Sequence, residues 1–127
     1  MRKFLVAGAA LAALCAPAAL ADAHSEIVQA QTHAGLAAAA SGIDGVHQHL
    51  HHALNCLVGP NGTGYDAKEM NPCANAGNGA IPDTTDAAKK KALQAAADQL
   101  SSAIAETDEA RAKAGATKAA DMLKAAE

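Results

Sequence analysis

The run G-V-H-Q-H-L-H-H-A-L-N-C-L, residues 45–57, decides the fold. At about 100° per residue, Val46, Leu50, Ala53, Leu54 and Leu57 fall on one side of a helix and make an apolar stripe that asks for a partner. The other sides carry histidine. His47 and His51 lie four apart along one flank, while His49 and His52 lie three apart along the opposite flank, with Cys56 a turn further on.

Working outward, Ser25 to Leu57 is built from Ala, Leu, Gln, Glu and His without proline. Its break is Gly42-Ile43-Asp44-Gly45, so the segment reads as an αα-hairpin. From Thr84 to Glu127 the composition is again helix-forming. Asp83-Thr84-Thr85-Asp86, following Pro82, predicts an N-terminal cap. Leu93, Ala97, Leu100 and Ile104 then follow one helix face. An offset of 73 residues lays Gly42 over Gly115, Val46 over Ala119, Leu50 over Leu123 and Ala53 over Ala126. That weak repeat predicts a second hairpin turning at glycine, with Thr107-Asp108 as another break. The fold class expected is all-α, an up-down four-helix bundle made of two αα-hairpins.

Between the hairpins, Val58 to Asp83 is rich in Gly, Pro and Asn, which favour turns over regular structure. So long a loop needs a tether. Cys56 and Cys73 enclose 16 residues of it, and pairing them in an oxidising compartment is worth about 3 kcal/mol in the chain-entropy model. Metal ligation by the two cysteines is the alternative. The core is thin, because most apolar residues are alanines and burial contributes only about 25 cal/mol per Å². A domain this small gains from a staple.

The N-terminus carries the marks of an export signal over residues 1–21. Arg2 and Lys3 precede an apolar stretch from Phe4 to Ala16, and Pro17-Ala18-Ala19-Leu20-Ala21 offers a small-residue cleavage site. Leu14 before Cys15 argues against lipidation, so Cys15 leaves with the signal. Cleavage after Ala21 leaves residues 22–127 as a single helical domain, periplasmic or secreted. Without Arg2 and Lys3, 8 basic residues face 13 acidic ones, and the formal charge moves from −3 to −5. That acidity argues against nucleic acid as a partner, and the leader is too short to remain as a membrane span.

All six histidines, His24, His33, His47, His49, His51 and His52, lie between residues 24 and 52. Neutral imidazole is the commonest protein metal ligand, and four in six positions exceed what core packing requires. Neither flank pair completes a tetrahedral site by itself. If the hairpin turns near residues 42–45, His33 returns to the level of His52 and becomes the third ligand. The bland alternative is a solvated histidine flank. After cleavage at Ala21, Asp22-Ala23-His24 would begin the chain with an amine, two amides and an imidazole, a four-nitrogen set suited to Cu(II) or Ni(II). This start resembles the amino-terminal copper- and nickel-binding motif of serum albumins. Cleavage after Ala23 would instead put His24 first, as two arms of a copper brace.

With its leader, Ala-rich hairpins, His33 and the V-H-Q-H-L-H-H run, the chain resembles the small histidine-rich metal-binding proteins of the bacterial periplasm. The resemblance implies a four-helix bundle binding several divalent metals. In that family, however, histidines spread over all helices, and the loop between Cys56 and Cys73 has no counterpart in its pattern. The expected function is buffering or delivery of a divalent metal ion, Cu(II) ahead of Ni(II) or Zn(II), with a periplasmic metal-handling protein as partner. A non-enzyme is expected, since no glycine-rich phosphate loop, reduced thiol–histidine pair or c-type haem motif occurs. The rival is a protein-interaction or structural module whose histidine face senses pH. A haem bundle using histidine with Met70 or Met122 has no placeable axial pair.

Overall fold

The computed structural model describes residues 21–127, so residues 1–20, which hold all but the last residue of the expected export signal, lie outside the described residues. These form an all-helical structure with α1 (Ala23–Ala39), α2 (Ile43–Val58), the single turn α3 (Ala80–Asp83), α4 (Ala87–Ile104) and α5 (Glu109–Ala126). No strand occurs among the described residues.

Three of the four long helices start on an aspartate that satisfies a free first-turn amide. Asp22 accepts from Ser25 N at 3.1 Å, Asp86 from Lys89 N at 2.6 Å, and Asp108 from Arg111 N at 2.9 Å. Of the expected capping cluster, its last residue does the capping, and Asp83 instead ends α3. Helix α2 has no side-chain cap of its own, and its N-cap is Gly42 at φ 84°. Gly42 N instead donates to Glu109 Oε1 at 3.2 Å, tying the α1–α2 turn to the start of α5.

The five residues of the expected α2 stripe, Val46, Leu50, Ala53, Leu54 and Leu57, are all buried. They meet Ile27, Ala30, Ala34 and Ala37 of α1, Leu93, Ala96, Ala97, Leu100 and Ala103 of α4, and Ala112, Ala116, Ala119 and Leu123 of α5 in one core. Ile104, expected in the α4 stripe, is only partly buried, and Ala103 takes the inner position. Helix α1 packs on α2 and α5, and α4 packs on α2 and α5. Their ends are tied as well. Lys89 Nζ donates to the Glu127 carbonyl at 2.8 Å, and Lys113 Nζ to the Ala40 carbonyl at 2.9 Å.

The second hairpin turns at Ala105–Asp108, at the Thr107-Asp108 break and not at Gly115 as the repeat suggests. Gly115 lies inside α5, where a Cβ would stand 2.7 Å from the Ala103 Cβ. Glycine serves close approach of two helices there rather than a bend.

The long connection is more ordered than its composition suggests. Cys56 and Cys73 form the expected disulfide, with S–S 2.05 Å and Cα atoms 5.1 Å apart, which removes both from metal ligation. Asn55, one residue earlier and fully buried, holds the segment from Asp66 to Met70 as a backbone surrogate. Its Nδ2 donates to the carbonyls of Asp66 at 3.0 Å and Met70 at 3.2 Å, and its Oδ1 accepts from Asp66 N at 2.9 Å. At the end of α2, Gly59 has φ 69°, and a side chain there would run into the Asn78 carbonyl where the loop crosses back.

Glu26, in the first turn of α1, is buried to 0 % exposure. Its Oε1 accepts from Gly79 N at 2.8 Å, while Oε2 has no partner. Burial pushes its carboxyl up to about 7; the Gly79 bond opposes this, and the negative charge of Asp83 adds to it.

Candidate metal centre

The turn through residues 40–42 sends α2 back along α1, so positions about equally far from it on the two helices meet side by side. His33 of α1 is thereby set against His49 and His52 of α2, which share one flank because they are three residues apart. One nitrogen from each of the three rings lies within 4.8 Å of the other two. The ring centroids are 5.6 Å apart for His33–His49, 5.2 Å for His33–His52 and 5.6 Å for His49–His52. His52 stands edge-on to both neighbours, and His33 Nδ1 lies 3.4 Å from His49 Nδ1.

Burial and neighbouring histidines disfavour the charged forms of His33 and His52. His52 is 5 % exposed, while His33 and His49 are half-buried. Burial lowers the His33 pKa, and the positive charge that His52 and His49 would carry lowers it further. For His52 burial again lowers the pKa; nearby Glu69 opposes this, and His49 adds to the lowering. A neutral imidazole keeps a lone pair free, which is the form that ligates a metal.

His52 shows one further feature. Its Nε2 lies 3.4 Å from Glu69 Oε2, whereas Nδ1 is buried with no hydrogen-bond partner. Buried polar atoms without partners are rare and mark strain, function or an ion. The donor set therefore fits a metal ion on chemistry as well as spacing: three imidazole nitrogens from two helices within reach of one another, one of them, His52 Nδ1, buried without another partner.

The remaining histidines stand apart from this group. His47 Nε2 donates to the Glu106 carbonyl at 2.8 Å and so pins the start of α2 to the α4–α5 turn. His51 Nδ1 faces Asp66 Oδ2 at 3.8 Å, too long for a hydrogen bond. His24 is exposed in the first turn of α1. Beside it, Asp22 N donates to the Ala76 carbonyl at 3.0 Å and Asp22 Oδ1 caps the helix. A four-nitrogen chelate over residues 22–24 would have to release both bonds.

The expected hairpin geometry brings His33 to the level of His52, but it leaves the choice of flank open, and the sequence offers all six histidines as ligands. The structure gathers the His49/His52 flank, while His47 bonds to Glu106 and His51 and His24 stand outside the group. Glu69 and Asn55 are the residues that sequence reasoning misses. Asn55 had one legible signal, a polar residue between apolar ones beside the disulfide cysteine. Glu69 had none, because its position depends on how the loop folds back. Comparison with known proteins finds no matching family model, no matching curated protein and no matching solved structure.

Proposed function

We propose that this is an exported, non-enzymatic metal-binding protein that holds a divalent ion, Cu(II) ahead of Ni(II) or Zn(II), at His33, His49 and His52. The observation that carries this reading is the convergence of three ligating nitrogens from two helices within 4.8 Å of one another. Imidazole suits copper, nickel and zinc alike, and copper stands highest in the divalent affinity series. Three protein ligands leave a coordination position open. An open position on a partly exposed site suits transfer of the ion to a partner, hence buffering or delivery rather than permanent structural use.

The ring of helix contacts, α1 on α2, α2 on α4, α4 on α5 and α5 on α1, supports the finer reading of an up-down four-helix bundle. Export rests on the leader from Arg2 to Ala21 and is consistent with the disulfide. Among the described residues, no helix is long and apolar enough to cross a membrane.

The test is metal titration of the protein with its disulfide intact. The helical trio should take one ion in wild type and in His47→Gln, and the triple variant His33→Gln/His49→Gln/His52→Gln should lose that equivalent with helix content retained, since Gln is a good helix former. Equal calorimetric stoichiometry in wild type and triple variant would leave the pH-sensing interaction module as the better reading.

A further inference from the structure

The disulfide loop does more than close a gap in the chain. Three features of α2 engage it: His52 faces Glu69, Asn55 holds Asp66 to Met70, and Cys56 binds Cys73. The fully buried Asn55 lies three residues, about one turn, beyond His52. Its Nδ2 also lies 3.4 Å from the Glu69 carbonyl, so the backbone that carries Glu69 is placed by the same helix that carries the ligand.

We propose that the loop is the outer half of the metal site, with Glu69 as a positioning residue that accepts a hydrogen bond from His52 Nε2 and commits His52 to bind the ion through Nδ1. The proposal rests on the metal-binding reading above and adds the atom and the residue that determine it. A free histidine ring exchanges its proton between two nitrogens, and the hydrogen bond made by one nitrogen decides which of them ligates. At His52 the geometry favours one outcome: Nε2 lies 3.4 Å from a carboxylate oxygen, and Nδ1 is buried without a partner. A carboxylate behind a ligating histidine fixes the tautomer and ring orientation and raises ligand basicity. Glu69 itself stands outside the group of mutually close ligating atoms, which contains only the three histidines. It acts through His52 and not on the ion.

The arrangement also ties affinity to the loop. Asn55 and the Cys56–Cys73 bond hold Glu69 against His52, so a chain whose loop is detached keeps its three histidines but loses the carboxylate that orients one of them.

The experiment uses ¹⁵N-labelled protein with the disulfide intact and Zn(II) as a diamagnetic probe. Long-range ¹H–¹⁵N correlation should show metal-free His52 as the Nε2–H tautomer, and Zn(II) should shift His52 Nδ1. Glu69→Ala should weaken zinc binding roughly 10- to 100-fold and mix the His52 tautomers. Glu69→Gln, whose amide oxygen still accepts from Nε2–H, should retain one tautomer and most of the affinity. Ligation of His52 through Nε2 in wild type overturns the proposal without need of any variant, as does wild-type zinc affinity in a folded Glu69→Ala. If zinc perturbs none of His33, His49 and His52 in wild type, the metal-binding reading itself falls, a result distinct from the other two.

Discussion

Replacing Glu26 with Gln should stabilise the protein above neutral pH and change little at pH 4. In the folded protein the Glu26 carboxyl is raised from the ordinary 4.5 to about 7, with burial as the main cause and Asp83 and Asp22 as added negative neighbours. A raised acid pKa means that the folded state holds a proton the unfolded chain releases. Below pH 4.5 both states are protonated and the contribution to stability is complete. Between 4.5 and 7 stability falls as pH rises, and above 7 the loss is complete. The interval from 4.5 to about 7, at 1.36 kcal/mol per unit, sets an upper bound of roughly 3 kcal/mol, and water entering the first turn of α1 reduces it to about 1–3 kcal/mol. Gln has no proton to lose, and its amide oxygen can still accept from Gly79 N. Urea denaturation at pH 4, 6 and 8 should show a Glu26→Gln advantage that opens across this window and then levels off. For a domain of about 100 residues, this is a rise in Tm on the order of 10 °C at pH 8. An advantage independent of pH, or a variant less stable at pH 8, would refute the reasoning.

Two further outcomes follow from the same structure. Loss of the Cys56–Cys73 bond, by reduction or by Cys56→Ser/Cys73→Ser, should lower stability by about 3 kcal/mol. Hydrogen exchange should rise in residues 59–79 before it rises in the helices. A protein starting at Asp22 should take a second Cu(II) more weakly than the helical trio, because the terminal chelate must break the Asp22 bonds to Ala76 and Ser25. One extra residue before Asp22 should remove that equivalent and its square-planar absorption while the trio keeps its ion; visible titration of the two forms checks this.

Local periodicity and local chemistry were enough to place much of this molecule. The buried face of α2 is readable from Val46, Leu50, Ala53, Leu54 and Leu57, since an amphipathic helix shows its inner side by spacing alone. The disulfide is readable because Cys15 falls within the expected export signal, which leaves Cys56 and Cys73 as the pair. The aspartate caps follow from residue type at a helix start. His33 could be placed at the level of His52 because a tight hairpin fixes the register of its two helices, although spacing alone did not say which histidine flank it would meet.

What the chain could not show depends on contacts between segments far apart in sequence. His47 is excluded from the trio by a carbonyl 59 residues away at Glu106, and His51 turns toward Asp66. Glu26 looks like an ordinary first-turn acid, suited to the positive end of a helix. Only the loop folding back through Gly79 and Asp83 buries it and raises its pKa. The repeat placed a turn at Gly115, but a missing side chain permits either a bend or a close helix contact, and Ala103 of α4 settles the choice. Glu69 had no sequence signal at all. Spacing along one helix specifies which side chains share a face, whereas a ligand set and its supporting carboxylate require several segments to meet at one point, and that meeting is decided by the packed chain as a whole.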